Sequence, residues 1–131
     1  MSVVVDASVL VALTSDTGSC GRWAESLAGE GELLAPDLAL VEATNILRRL
    51  EQAGKLQRLE AGSAARDLRD LPIDTLPFTP FADRVWQLRD NLTCYDALYV
   101  AVAEAFDVPL ATLDRKLAKA PGPLCRFLLP A

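Results

Sequence analysis

The chain has 131 residues, a length that suits one compact domain over 1–131. Hydrophobic residues make up 51% of it, and 18 acids against 13 bases leave a net charge of −5. This composition excludes a disordered or fibrous chain, and the acidic balance taken alone argues against a nucleic-acid partner, since such domains are usually basic.

The expected elements alternate between strand and helix. Val3-Val4-Val5 is a β-branched run that reads as a strand buried on both faces, as in a parallel sheet. Asp6 ends it, and the stretch ASVLVAL continues as a short helix. Residues 19–27 form a second helix candidate that stops near Gly29, and 32–35 a short strand. Pro36 and Asp37 introduce a strong helix over 38–53, closed by Gly54. A further helix is expected over 57–71, then a strand over 73–76 between Pro72 and Pro77. Helices over 81–92 and from Thr93 to Phe106 follow, then a strand over 109–112, a short helix over 114–120 and a last strand over 124–129. The fold class is therefore α/β with a mainly parallel sheet.

No apolar run approaches the ~18–20 residues of a membrane span. The N-terminus lacks a positive start and Asp6 interrupts its apolar run, so a signal peptide is not expected and the cytoplasm is the expected location. The cysteines, Cys20, Cys94 and Cys125, are odd in number, far apart and outside any C-x-x-C pattern. They read as buried free thiols, not as a zinc site or disulfide framework. There is no histidine. That excludes Ser-His-Asp and Cys-His nucleophile systems, histidine acid–base catalysis and histidine metal sites. An enzyme built from this chain works with carboxylates, Lys, Tyr or a metal held by oxygen. The net charge conceals a local bias: between Arg48 and Arg69 stand six bases (Arg48, Arg49, Lys55, Arg58, Arg66, Arg69) against three acids, and Arg115, Lys116 and Lys119 form a second basic group. Solvated helix faces explain both groups equally well.

Ligands of open α/β sheets bind beyond the carboxyl ends of the strands. Asp6 ends the first strand and Asp114 follows the strand at Leu110–Thr112, which places both at one sheet edge. Glu42 lies in the helix entered from the strand at Leu33–Ala35, on a stripe with Asn45 and Arg49. Asp96 lies in the first turn of an otherwise apolar helix, and a helix apolar all round is normally buried. Each acid also has a plain structural explanation. Asp6 and Asp114 fit helix N-caps, Thr93-Cys94-Tyr95-Asp96 fits a capping box, and Glu42 fits a solvated face. Taken together, convergent carboxylates without His or Cys suit Mg²⁺ or Mn²⁺, and such a metal activates water and stabilises phosphoryl charge.

The segments VVVDAS, LALVEATNILRR, TCYDALYVAVAE and LATLDRKLA, in this order and spacing, resemble the PIN-domain nucleases, and within them the VapC-type toxins of bacterial toxin–antitoxin pairs. The resemblance runs from Val3 to about Leu117. It implies a parallel sheet of about five strands sandwiched by helices. It implies that Asp6, Glu42, Asp96 and Asp114 form an acidic cluster that binds Mg²⁺ or Mn²⁺ and hydrolyses RNA phosphodiesters, leaving a 5′-phosphate and a 3′-hydroxyl. Ser8, Asn45 and Thr112 fall where the family often has supporting polar groups. Arg48, Arg49, Arg115 and Lys116 are candidates for RNA-backbone contact. The implied partners are an RNA substrate, a second copy in a homodimer, and a VapB-like antitoxin that lays a segment along a groove. Residues 14–20 and 53–70 match no motif of the family. The alternatives are a receiver or haloacid-dehalogenase-like phosphate-chemistry domain, for which the D-x-D-x-[TV] pattern is missing at D-A-S-V-L, and a non-catalytic interaction module.

Overall fold

A computed structural model describes residues 1–131. In chain order the elements are β1 (Ser2–Val5), α1 (Ala7–Ser15), α2 (Ser19–Glu30), β2 (Glu32–Pro36), α3 (Leu38–Gln52), α4 (Arg58–Asp70) and β3 (Ile73–Leu76). A single 3₁₀ turn (Thr79–Phe81) leads into α5 (Ala82–Gln87), α6 (Cys94–Phe106), β4 (Leu110–Ala111), α7 (Arg115–Lys119) and β5 (Phe127–Leu128). The strands form one five-stranded sheet in the order β3-β2-β1-β4-β5, with every pairing parallel. The α/β class and the parallel five-stranded sheet expected from the sequence are thus observed.

β1 lies at the centre, and its Val3, Val4 and Val5 are at most 2% exposed. A strand with helices over both faces needs apolar side chains on both sides, which explains the unbroken valine run. The chain builds outward from β1 through β2 to β3, then returns to place β4 on the other side of β1. The switch in strand order therefore lies between β1 and β4, where an open α/β sheet leaves a crevice at its carboxyl edge.

α6 packs against β1, β2, β4 and α5, and all seven residues from Ala97 to Ala103 are buried. Ala97, Ala101 and Ala103 keep the helix close to its neighbours, and each larger buried side chain contributes roughly 1.5–3 kcal/mol. Glycine matters where α1 meets α2: a Cβ on Gly21 would fall 1.8 Å from the Asp16 carbonyl oxygen, so only glycine lets these backbones pass.

Three expectations change. The helix expected over 81–92 ends at Gln87; turns bonded from Asn91 and Leu92 amides to the Leu88 carbonyl follow it, because Asp90 and Asn91 favour turn geometry over helix. The last strand shrinks to Phe127–Leu128 between Pro123 and Pro130, which have no amide to donate. The cysteines are free but not buried: Cys20 and Cys125 are half-buried, and Cys94 is exposed because it opens α6 before that helix enters the core.

One ion pair holds the far end of α6. Arg84 of α5 donates from Nε to Glu104 Oε1 at 2.7 Å and from Nη2 to Oε2 at 3.1 Å, while Nη2 also reaches the Gly122 carbonyl at 3.1 Å. The Leu124 amide adds a bond to Oε2 at 2.7 Å. Burial pushes the Glu104 carboxyl up, but the bonds from Arg84 and Leu124 outweigh it and hold it below its ordinary value. A depressed acid stabilises the fold above its unfolded pKa of 4.5 and loses that contribution as pH falls through the folded value. Glu104→Gln should therefore lower unfolding stability by about 2 kcal/mol near neutral pH. Its gap to the parent, followed by urea denaturation, should close as pH drops through that lower range.

Candidate active site

Asp6 emerges from the carboxyl end of β1 and is 8% exposed. Its Oδ1 accepts the Val9 amide at 3.2 Å, capping α1, and the Ser8 hydroxyl at 2.5 Å. Its Oδ2 accepts the Thr112 hydroxyl at 2.5 Å from the far side of the switch point. Both hydroxyls are held in turn: Ser8 Oγ accepts the Leu113 amide at 3.1 Å, and Thr112 Oγ1 accepts the Asp114 amide at 3.0 Å. Two hydroxyls thus relay the geometry of the segment after β4 to a carboxylate at the end of β1.

Asp114 caps α7, its Oδ1 accepting the Lys116 and Leu117 amides at 2.9 and 3.2 Å, which leaves Oδ2 without a protein partner. At α6 the Thr93 hydroxyl oxygen accepts the Asp96 amide at 3.1 Å. The expected capping box is only half made, because no bond returns from the Thr93 amide to the Asp96 carboxylate. Glu42, in the second turn of α3, is half-buried, and its Oε1 accepts the Tyr99 hydroxyl at 2.9 Å.

The electrostatics join these positions. Burial is the main cause that lifts the carboxyl pKa of Asp6, Glu42 and Asp96 above the ordinary value. Asp96 and Asp6 push Glu42 further up, and Asp114 and Asp6 do the same to Asp96. At Asp6 the bonds from Ser8, Thr112 and Val9 work against burial without overcoming it. Asp96 therefore stands within reach of the charge of Asp6, Glu42 and Asp114, and Glu42 within reach of Asp6. The four acids do not stand as preformed ligands: no three carboxylates or thiols are close enough together to hold one ion.

The donor set itself fits a hard divalent cation. It contains only carboxylate oxygens, several of them without a protein partner, and includes no imidazole or thiolate. The other expected positions divide. Ser8 and Thr112 serve the acidic site directly. Asn45 is exposed and accepts a bond from Arg48 at 3.3 Å, so it has no bond to any of the acids. Arg48, Arg49, Arg115 and Lys116 are exposed and belong to none of the three ion pairs, although Arg115 donates to the Pro130 carbonyl at 3.0 Å. Tyr99 was not among the expected site residues. The signal that could have found it is a tyrosine one turn beyond Asp96 in a buried aliphatic helix, where a phenol needs a polar partner. A groove of about 620 Å³ runs between α3 and α4, lined by Leu40, Val41, Ala65 and Leu68 and bordered by Arg48 and Arg69.

A family model for the PIN domain matches residues 3–123. Ribonuclease VapC1 of Mycobacterium tuberculosis is 39% identical over 127 residues, covering 96% of each chain. The crystal structure of PAE2754 from Pyrobaculum aerophilum superposes with a TM-score of 0.70 at 26% identity, covering 90% of this chain and 78% of the other. VapBC2 from Rickettsia felis, solved bound to a DNA fragment from their promoter, matches in fold with a TM-score of 0.68 at 15% identity over 100% of both chains.

The raised carboxyls have a pH signature in metal-free protein. An acid whose folded pKa is raised binds its proton more tightly when folded. Its contribution is full below the ordinary values of 3.8 for Asp and 4.5 for Glu, and is lost as pH rises through the folded value. In the presence of a chelator, the part of the urea midpoint lost as pH rises above the ordinary carboxyl values of 3.8 and 4.5 should be smaller in Asp6→Asn than in the parent.

Proposed function

The chain belongs to the PIN-domain family, among the VapC ribonucleases, and from that premise we propose that it is an Mg²⁺- or Mn²⁺-dependent endoribonuclease acting in the cytoplasm as the toxin of a toxin–antitoxin pair. The observation that supports the metal dependence is that burial raises the Asp6, Glu42 and Asp96 carboxyls, with neighbouring acids raising Glu42 and Asp96 further. Such a cluster is costly to ionise by itself and is relieved by a shared divalent charge.

Asp6, Glu42, Asp96 and Asp114 would hold the ion. When bound, it supplies charge stabilisation at the phosphoryl oxygens and lowers the pKa of an attacking water. The protein's own part is orientation. Ser8 and Thr112 set the plane of the Asp6 carboxylate, and the α6 and α7 caps hold Asp96 and Asp114 at the start of their helices. Hydrolysis at this site leaves a 5′-phosphate and a 3′-hydroxyl. The exposed, unpaired Arg48, Arg49 and Lys116 are suited to contact the RNA backbone, with Arg115 available once its tail contact is released. The expected substrate is a single-stranded loop, whose bases can be splayed out.

Two partners belong to this reading: a second copy of the chain in a homodimer, and a VapB-like antitoxin. The α3–α4 groove, where Val41 is 66% exposed, is the antitoxin's proposed seat. An apolar floor between arginines suits an amphipathic segment carrying acidic residues.

Asp6→Asn, Asp96→Asn and Asp114→Asn should each lower Mn²⁺-dependent cleavage of a single-stranded RNA by at least about 100-fold, with circular dichroism unchanged. Full activity in all three variants would exclude this mechanism and favour a non-catalytic module.

A further inference from the structure

The fold leaves one polar group of the site unexplained by capping, by the acids or by the hydroxyl relay. Tyr99 is 2% exposed in the middle of α6, and its hydroxyl donates to Glu42 Oε1 across the gap between α6 and α3. It stands one helical turn after Asp96, so a single rigid helix presents both Asp96 and the partner of Glu42. The phenol also lies in the field of Asp6, and burial together with the Glu42 charge keeps it protonated, hence a donor, at any physiological pH.

We propose that Tyr99 is a positioning residue: its hydroxyl locks Glu42 by one carboxylate oxygen, leaving Oε2 to face the acidic site. Glu42 needs such a lock more than the other acids. Asp6, Asp96 and Asp114 have short side chains at strand ends or helix caps. Glu42 has a longer, half-buried side chain well inside α3, with no capping role and no other hydrogen-bond partner. A free glutamate loses substantial rotamer entropy when fixed. Tyr99 removes that freedom before any ligand arrives, because packing already fixes its own ring. Partners that orient a ligating carboxylate are known to matter about 10–100-fold in metal affinity.

This inference rests on the acidic-site reading above, and the test separates the two. Tyr99→Phe keeps the ring and removes only the hydroxyl, so the melting temperature should stay within a few degrees of the parent. Two readouts are followed. In metal-free protein, ¹³C side-chain relaxation should show an ordered Glu42 in the parent and rotamer averaging in Tyr99→Phe. In titrations with Mn²⁺ alone, affinity should fall about tenfold or more in Tyr99→Phe. Adding Tyr99→Phe to Glu42→Ala should then cause no further loss, since the carboxylate it positions has gone. An ordered Glu42 in Tyr99→Phe, or an equal loss of affinity in both backgrounds, overturns the proposal and leaves Tyr99 a packing residue. Identical Mn²⁺ binding by the parent and Asp6→Asn would sink the metal reading instead, and the relaxation result would still decide whether Tyr99 orders Glu42.

Discussion

The Asp6 carboxylate leaves the central strand where the strand order reverses, and three neighbours converge on it. The Val9 amide ties it to α1, and the Ser8 and Thr112 hydroxyls tie it to the segment that follows β4. Removing that carboxylate would free two hydroxyls and one helix end at once. Ser8 and Thr112 also accept the Leu113 and Asp114 amides, so the approach to α7 is set by the same bonds. The position of Asp114 is thus a consequence of how Asp6 is satisfied. A strand-end acid that caps its own helix joins the two sides of a crevice that the sheet topology opens.

The same burial makes the site electrostatically uncomfortable. Hydrogen bonds to Asp6 do not fully offset the cost of removing its charge from water, and at Glu42 and Asp96 neighbouring acids add to the penalty. The chain tolerates this because α6 and β1 are anchored by apolar packing that is indifferent to pH. Local discomfort held in place by a rigid core is common where a protein binds a counter-charge. The Arg84–Glu104 clasp at the other end of α6 shows the opposite arrangement, a carboxylate whose partners are all supplied by the protein itself.

Much of the fold was legible because each element carries a local signal with one physical cause. The valine run, the Pro-Asp entry to α3 and the Thr93 cap each named an element that the structure contains. The placement of Asp6, Asp96 and Asp114 was legible for the same reason, since each stands at a strand end or a helix start. Glu42 could be placed on a helix stripe, but nothing local shows that α3 turns that stripe toward α6. Tyr99 was invisible as a site residue because its ring belongs to the core and only its oxygen belongs to the site. Asn45 shares the Glu42 stripe but bonds to Arg48, so helical periodicity alone does not tell which polar residue the tertiary fold recruits. The half-made capping box at Thr93 was equally hidden: the pattern allows the Asp96 carboxylate to bond backward, and only the packing of α6 decides that it does not.

The central claim is that the Asp6, Glu42, Asp96 and Asp114 carboxylates take up a divalent charge the protein does not itself supply. The most direct measurement is the unfolding free energy of the chain at neutral pH as Mn²⁺ is raised, compared with Asp6→Asn. A specific site should stabilise the parent by about 2.7 kcal/mol at one hundred times its dissociation constant, with little or no gain in the variant. Equal stabilisation of both proteins, or none in the parent at saturating Mn²⁺, would contradict the claim.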